Sequence, residues 1–440
     1  MKGVVLQISI IGAGYFGLVS GVCFAELGFS VTCIDSNDQR IAQMRQGVSP
    51  IYEPGLDELL VKNIAAGRMK FANAIDAAVG KADFLFIAVG TPMSDSGEAD
   101  LSQIFAAAEQ CAPFLDGYTI VVLKSTVPVG TNQAVETRLR ALRPDADFDV
   151  CSNPEFLREG SAIRDFMEPD RVLVGAESQR ASALMSELYR PLAERGVPVL
   201  FVSRESSEMA KYAANAFLAM KITFINEVSD ICEKLGGKIS EVAKAIGLDN
   251  RIGGKFLNPG PGFGGSCFPK DLAALVYQSR QAGVPMTLAE QVQRVNEDRK
   301  RAMAGRIERA GGGIAGKTVA VLGVTFKPDT DDMRDAPSLA IIPLRLEKGA
   351  RVIAYDPAGQ ENAESLLPGV SWSSSAQDAY SGADIVVVLT EWSEFGAIVL
   401  SDMKRAMKGD VLVDLRNVFT AADAAAAGLA YSGIGHKQSD

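Results

Sequence analysis

The chain has 440 residues, of which 47% are hydrophobic and 22% are charged. This length predicts about three domains, and the composition excludes a disordered tail protein, a collagen-like repeat and a coiled-coil rod. The 44 basic and 54 acidic residues give a net charge of -10, which disfavours nucleic acids and anionic membranes as partners. An anionic substrate would therefore need a local basic pocket.

The six cysteines are scattered and form no C-x-x-C pair, so the sequence predicts neither a zinc site nor a redox dithiol, and no metal is assigned. Reduced thiols in a cytoplasmic protein are the simpler interpretation. The single histidine, His436, lies near the C-terminus, where we expect an exposed tail residue. Acid–base chemistry is therefore expected to use Lys, Asp, Glu, Cys or water.

The first 35 residues predict a βαβ unit. Residues 7–11 predict a strand, followed by a glycine turn, a helix to about Leu27 and a second strand from Ser30 to Ile34. No charge appears between Lys2 and Glu26, but the glycines in between argue against a signal peptide or a membrane span. No targeting segment is predicted.

The glycine turn carries a dinucleotide-binding pattern. Gly12, Gly14 and Gly17 match G-x-G-x-x-G directly after a strand, where bare backbone can approach a pyrophosphate at the start of a helix. Asp35 closes the second strand, where a carboxylate can accept hydrogen bonds from the ribose and would repel a 2′-phosphate. The combination predicts NAD, while Arg40 keeps NADP open as an alternative.

Further apolar strands continue this pattern in both halves of the chain. Continuous apolar runs of this kind suit a parallel sheet covered on both faces. They occupy residues 83–89, 118–123, 318–322, 351–355, 384–389 and 411–414. The second series lacks the glycine fingerprint, so we expect one domain to hold the cofactor and the other a different anionic ligand.

The region between the two series is predicted to be helical. Residues 206–236 and 286–310 show helical periodicity, and a glycine- and proline-rich segment at 258–269 interrupts them. The predicted fold is therefore α/β, with two Rossmann-like doubly wound domains joined by a central helical region. The predicted domain boundaries are 1–203, 204–310 and 311–440.

The segment from Phe256 to Asp271 contains the cysteine best placed for chemistry. Cys267 lies where a helix is predicted to begin, so the helix dipole and Lys270 are expected to lower its thiol pKa and favour the thiolate nucleophile. The other cysteines fit buried small hydrophobes. These are Cys23, Cys33, Cys111, Cys151 and Cys232.

Lys211 and Asn215 share one face of the first long central helix at i, i+4. A lysine there fits an ordinary solvated charge. Its alanine-rich surroundings favour a partly buried, functional amine instead.

Several motifs together resemble the UDP-glucose 6-dehydrogenases within the wider UDP-glucose/GDP-mannose dehydrogenase family, over nearly the whole chain. The motifs are GAGYFGLV at 12–19, PIYEPGL at 50–56, GTP at 90–92, STVPVG at 125–130, NPEFLREG at 153–160, the 256–271 segment and GVTFKP at 323–328. The resemblance implies oxidation of a sugar-nucleotide primary alcohol to a carboxylate with two NAD. It also implies that a cysteine holds the aldehyde as a thiohemiacetal and then a thioester.

The resemblance implies catalytic roles for six residues. Cys267 would be the nucleophile, Lys211 and Asn215 would stabilise oxyanions, and Asp271 would position a water with Lys211. Thr126 and Glu155 would assist water and proton transfer, with the base of each half-reaction left open.

Residues 213–225 are apolar on more than one helix face, which predicts a homodimer unless this helix buries its second face against the chain's own two domains. The resemblance also implies two sets of binding residues and that Arg251 reaches the other subunit's site. The cofactor set is Gly12, Gly14, Tyr15, Phe16, Gly17, Asp35, Arg40, Thr91, Thr126, Glu159, Lys270 and Arg334. The UDP-sugar set is Glu155, Phe156, Leu157, Arg158, Glu159, Lys211, Asn215, Arg251, Phe256, Leu257, Asn258, Pro259, Gly260, Gly264 and Lys327. Taken alone, Glu155, Glu159 and Arg334 fit surface salt bridges equally well.

Two alternatives stay open. One is a related dehydrogenase acting on GDP-mannose or a UDP-N-acetylhexosamine, although relatives for N-acetyl sugars usually have His before the nucleophilic cysteine, where this chain has Ser266. The other is a nucleotide-sensing protein without catalysis, against which Cys267, Lys211 and Asp271 together argue.

Overall fold

The computed structural model describes residues 6–75 and 79–436. The chain divides into two compact units. The first unit runs to Ala214 and also includes Tyr277–Gly283, and the second consists of Asn215–Val276 and the chain from Val284 onward. Each unit contains its own β-sheet.

The first sheet has eight strands in the order β3-β2-β1-β4-β5-β6-β7-β8, and its first six strands follow the Rossmann order. The strands pair in parallel except β6 with β7, which meet antiparallel at Ser152 and Gly175. Strands β4 and β5 are buried at every position, as expected for a sheet with both faces covered. The strands are β1 Gln7–Ile11, β2 Ser30–Ile34, β3 Met69–Ala72, β4 Phe84–Ile87, β5 Thr119–Leu123, β6 Phe148–Ser152, β7 Val172–Gly175 and β8 Val199–Val202.

Helices lie between these strands in the chain, and their apolar side chains pack on the sheet or, for the helix at Ala162–Met167, against the first helix. The buried side chains of the first helix, such as Leu18, Val22 and Phe24, belong to the same hydrophobic core as Ile8 and Phe86. The helices are α1 Tyr15–Glu26, α2 Asp38–Arg45, α3 Leu56–Ala65, α4 Ser102–Cys111, α5 Thr131–Leu142, α6 Ala162–Met167 and α7 Gln179–Ala193. Short 3-10 turns form at Val79–Lys81 and Ala112–Phe114.

Long helices and a second sheet follow. The sheet is all parallel, in the order β11-β10-β9-β12-β13-β14, and repeats the Rossmann order. The helices before this sheet are α8 Arg204–Leu235, α9 Ile239–Gly247, α10 Phe268–Gln281 and α11 Thr287–Ala310. The strands are β9 Thr318–Leu322, β10 Arg351–Tyr355, β11 Ser371–Trp372, β12 Ile385–Val388, β13 Val411–Asp414 and β14 Ala430–Gly433. The remaining helices are α12 Pro337–Glu347, α13 Gln360–Glu364, α14 Ala376–Tyr380, α15 Ser393–Gly396, α16 Leu400–Ala406 and α17 Ala421–Ala426.

The predicted fold class is confirmed, and β1, β2, β9, β10 and β13 have the predicted bounds. Strands β3, β6, β7, β8, β11 and β14 were not predicted. Polar or small residues interrupt β3, β6, β11 and β14. Strands β7 and β8 do contain apolar residues in sequence, but runs of three or four residues do not distinguish a strand from a buried helix segment. The five cysteines predicted to be buried are buried, and Cys267 is partly exposed. Over residues 6–75 and 79–436, every helix is too short or too polar to cross a membrane.

Candidate active site

The glycine turn between β1 and α1 is shaped by backbone contacts. Gly12 has a φ of +93°, and a Cβ at Gly17 would lie 1.9 Å from the Gly12 carbonyl oxygen. Neither position can accept a side chain. A Cβ at Gly14, by contrast, would meet no described atom within 4 Å. The first turn of α1 is therefore approachable at Gly14, as a cradle for a pyrophosphate requires.

The Asp35 carboxylate lies beside this turn. One oxygen accepts a hydrogen bond of 2.9 Å from the Ala13 amide, and the other accepts one of 2.9 Å from the Asn37 amide. These bonds hold the carboxylate just past the end of β2, where a ribose would be recognised. Arg40 is exposed on α2, and its amide donates to the Asn37 side chain.

Two threonines meet at the neighbouring strand ends. Thr91 and Thr126 follow β4 and β5, and the Thr91 hydroxyl donates a hydrogen bond of 3.0 Å to the Thr126 carbonyl. Both residues are buried. The contact links two positions that the resemblance assigns to the cofactor.

Glu155 and Lys211 form a buried ion pair. Lys211 Nζ lies 3.1 Å from Glu155 Oε1, and each side chain is 4% exposed. The other Glu155 oxygen accepts a hydrogen bond of 2.6 Å from the Leu157 amide. Lys211 Nζ also lies 5.1 Å from the centre of the Phe156 ring. The burial of Lys211 is confirmed and is more complete than predicted, while its function stays a prediction.

The surface salt-bridge interpretation fails for Glu155 and Glu159, because both are buried. It does describe Arg334, whose side chain is 61% exposed and pairs with Asp332 at 2.8 Å. Arg158 is exposed and pairs with Asp165 at 2.6 Å.

Lys124 is a buried amine that the sequence analysis missed. It follows β5 directly, and its Nζ donates to the Asn153 side-chain oxygen at 3.3 Å. Burial lowers the pKa of Lys124 to about 8, Glu155 opposes this shift and Lys211 adds to it. The sequence did contain a signal for a buried amine, because Lys124 directly follows the apolar run IVVL of β5 and directly precedes the motif STVPVG at 125–130.

Asp271 is the most buried polar group near the cysteine. Cys267 immediately precedes α10, and its carbonyl accepts a hydrogen bond of 2.9 Å from the Asp271 amide. The Asp271 carboxylate accepts a hydrogen bond of 2.6 Å from Asn215 Nδ2 and forms an ion pair with Lys270 Nζ at 2.5 Å. The Ser266 hydroxyl lies 3.5 Å from Cys267 Sγ.

The loop before Cys267 is conformationally constrained. Phe256 has a φ of 65°, an uncommon value for an aromatic residue and one associated with functional sites. A Cβ at Gly264 would lie 2.3 Å from the Asp335 carbonyl oxygen, so only glycine fits there. Leu257 is buried and Pro259 half-buried, while Asn258 is exposed.

Buried polar groups that the sequence analysis missed hold Gly260. Its amide donates a hydrogen bond of 2.8 Å to Asn226 Oδ1, and its carbonyl accepts one of 3.0 Å from Arg299 Nε. A Cβ on Gly260 would lie 3.1 Å from the Arg416 guanidinium. Arg416 lies two residues past the end of β13. A cation just beyond the end of a predicted strand was the feature of the sequence that could have identified it.

Two predicted cations also lie in the second unit. Lys327 is half-buried, with its Nζ 5.5 Å from the centre of the Phe326 ring. The Arg251 side chain is 89% exposed and pairs with Asp249 at 2.6 Å. The first unit therefore gathers the glycine turn, Asp35, the threonines and the Glu155–Lys211 pair. The second gathers Cys267, Asp271, Asn215 and Lys270.

Comparison with known families accounts for most of the chain. Residues 6–193 match the NAD binding domain of the UDP-glucose/GDP-mannose dehydrogenase family, residues 205–298 its central domain, and residues 320–421 its UDP binding domain. The chain belongs to the UDP-glucose/GDP-mannose dehydrogenase family. It is thus an NAD-dependent dehydrogenase, and the predicted family and cofactor are confirmed.

Individual members of the family are similar over full length. The chain is 50% identical to the UDP-glucose 6-dehydrogenase of Rhizobium meliloti (strain 1021), over 98% of this chain and 99% of the relative. It is 46% identical to the UDP-glucose 6-dehydrogenase TuaD of Bacillus subtilis (strain 168), over 98% and 93%. A solved UDP-glucose dehydrogenase from Pyrobaculum islandicum superposes with a TM-score of 0.92 at 38% identity, over 99% of both chains.

NAD should be strongly preferred over NADP, and Asp35→Asn should reduce the ratio of their kcat/KM values by roughly tenfold or more. Two unit charges about 4 Å apart interact by about 4 kcal/mol at an effective dielectric constant near 20, so a 2′-phosphate beside Asp35 is strongly disfavoured. Initial rates with each cofactor give the ratio. The exposed carboxylate of Asp38 provides the control Asp38→Asn. An unchanged ratio in Asp35→Asn would contradict the assignment.

Lys124→Met should raise stability most below pH 8. Burial disfavours the charged form of Lys124 in the folded state. Below pH 8 the amine is charged in both states, so the free energy of unfolding of the wild type is lowered by about 3 kcal/mol, because one pKa unit corresponds to about 1.4 kcal/mol. Between pH 8 and about 10.5 the unfolded chain binds more protons, so this cost disappears as pH rises.

Thermal unfolding midpoints at pH 7 and pH 10 measure the effect. The gap between Lys124→Met and wild type should shrink at pH 10, whereas Lys70→Met, at an exposed position on β3, should show no such trend. A pH-independent gap for Lys124→Met would mean that its amine is not held with a lowered pKa.

Proposed function

We propose that this protein oxidises UDP-glucose to UDP-glucuronate with two NAD, through covalent intermediates on Cys267. The observation that carries the proposal is the position of Cys267 at the start of α10, one turn before the buried Asp271. Close relatives named UDP-glucose 6-dehydrogenase support the substrate. The glycine turn, Asp35 and the Thr91–Thr126 contact would hold NAD, which accepts a hydride in each oxidation.

The first oxidation removes a hydride and a proton from the primary alcohol and leaves an aldehyde. The buried Glu155–Lys211 pair and Thr126 are the groups of the first unit proposed to act on this proton and on the water used later. Lys211, as a cation, would stabilise negative charge that develops on the substrate oxygen. Lys124 adds a second amine to the surroundings of Glu155.

Cys267 retains the aldehyde. Its sulfur adds to the carbonyl carbon to form a thiohemiacetal, and loss of a second hydride and a proton leaves a thioester. Water then attacks the thioester carbon, the C–S bond breaks, and the carboxylate and the thiol are released. Asn215 and Lys270 orient the Asp271 carboxylate, which we propose positions the attacking water.

The three regions take separate roles in this proposal. Residues 1–203 bind NAD, residues 204–310 supply the dimer contact and the catalytic cysteine, and residues 311–440 bind the UDP-sugar. Lys327 and Arg416 are the cations proposed for the UDP-sugar. A mechanism that needs a reduced Cys267 also suits a reducing compartment such as the cytoplasm.

We also propose that two copies of the chain associate through α8. Phe217, Phe224 and Ile231 recur every seven residues on this helix and are 57%, 53% and 55% exposed. A stripe of this kind on one helix face is the usual seam for another helix. The exposed Arg251 would complete the site of the other subunit, because a symmetric dimer offers the same residue twice.

UDP-glucose should yield two NADH per sugar, and Cys267→Ala should abolish net formation of UDP-glucuronate. Cys267→Ser should accumulate an ester-level adduct, because an alkoxide is a poorer leaving group than a thiolate. Nicotinamide absorbance with a panel of UDP-glucose, GDP-mannose and UDP-N-acetylhexosamines measures the stoichiometry, and intact mass detects the adduct. Cys111→Ala, which deletes a buried thiol of the sheet core, is the matched control. One NADH per sugar with free aldehyde released would contradict retention by Cys267.

Mixing Cys267→Ala with Arg251→Ala should restore activity if sites are shared. Each variant alone is expected to be inactive, and a mixed dimer would contain one site with both wild-type residues. Activity is measured after subunit exchange, and sedimentation at the assay concentration shows whether the protein is a dimer there. A monomer, or no recovery despite demonstrated exchange, would end the shared-site proposal.

A further inference from the structure

One buried carboxylate in the first unit belongs to none of the groups assigned above. Glu53 lies in the segment between α2 and α3 and is 7% exposed. It contacts neither Glu155 nor Asp35 in any hydrogen bond described for the molecule. Its partners instead belong to two segments far apart in the sequence, the start of α1 and residues 160–163, where the loop at 153–160 leads into α6.

The first partner is Tyr15, the residue that opens α1 directly after the glycine turn. The Tyr15 hydroxyl donates a short hydrogen bond to Glu53 Oε2. Burial, and then this bond, raise the pKa of Tyr15 above its usual range, which keeps the hydroxyl protonated as a donor.

The second set of partners is backbone. The Gly160 amide donates to the same oxygen, Glu53 Oε2, at 2.7 Å and also lies 2.8 Å from the Tyr15 hydroxyl oxygen. The Ala162 and Ile163 amides donate to Glu53 Oε1 at 2.8 Å and 3.5 Å. These amides begin α6 and would otherwise lack partners in the helix.

We propose that Glu53 is a positioning residue that links the glycine turn to the loop at 153–160, so that cofactor bound at the turn orders the loop that carries Glu155 and Glu159. This rests on the proposed function in assigning Glu155 to the substrate. The two segments share one acceptor oxygen, so neither can shift without losing a bond to a buried carboxylate. Leaving such a group with fewer donors is unfavourable because water cannot replace them.

The link can be measured without turnover. NADH can be bound in place of NAD, and hydrogen–deuterium exchange of peptides covering 153–163 reports the order of the loop. Saturating NADH should slow exchange in these peptides by roughly threefold or more in the wild type. In Glu53→Gln and in Tyr15→Phe, each saturated with NADH, most of this slowing should be lost.

The two variants distinguish loss of the Glu53 hydrogen bonds from general unfolding of the first unit. Gln keeps the volume of Glu53 and one acceptor oxygen, while Tyr15→Phe removes a single hydroxyl and leaves the bonds to α6 intact. Glu58→Gln, an exposed carboxylate in the first turn of α3, is the matched control and should keep the wild-type slowing. NADH-dependent slowing that persists in both variants, or is missing in the wild type, would overturn the proposal.

A second readout addresses the substrate. NADH and UDP-glucose cannot react with each other, so NADH fluorescence gives its affinity with and without the sugar. UDP-glucose should tighten NADH binding in the wild type, and in Glu53→Gln the ratio of the two affinities should approach one. An unchanged ratio in Glu53→Gln would contradict the link. If no sugar nucleotide supports NAD reduction by the wild type, the proposed function fails while the exchange result still decides the role of Glu53.

Discussion

The parallel pairing of strands determines where the chemistry of the first unit can occur. In a parallel sheet every strand delivers its carboxyl end to the same edge. The glycine turn follows β1, Asp35 follows β2, and Lys124 and Thr126 follow β5 at this edge. Residues separated by up to a hundred positions or more therefore lie along one edge of the sheet without any direct sequence relation.

Much of this arrangement could be predicted from local patterns. Apolar strands and glycine turns carry strong signals, because burial on both faces and a φ that only glycine adopts easily leave little choice of residue. Cys267 could be placed at a helix start because glycine and proline precede it and helical periodicity follows it. Strands β3 and β8 could not, because a lysine interrupts β3 and the four apolar residues of β8 are too few to distinguish a strand from a buried helix segment.

Buried polar partners were the least predictable feature. Glu53, Lys124, Asn226 and Arg299 look like ordinary surface residues in the sequence, and only tertiary contacts bury them. Their partners are largely backbone amides and carbonyls, which have no sequence identity. Even Glu155, selected through a motif, could not be recognised as the partner of Lys211 from the sequence, because 56 residues separate them.

The unequal burial of the cysteines has a practical consequence for labelling. Burial raises the pKa of Cys33, Cys111 and Cys151 to about 12, so these thiols hold their protons at neutral pH and lie out of reach of reagents. Cys267 alone among the six is partly exposed. An alkylating reagent used on the native protein should therefore add once per chain, at Cys267, so that the number of adducts gives the number of accessible Cys267 thiols. A bound ligand that covers the loop would slow this reaction.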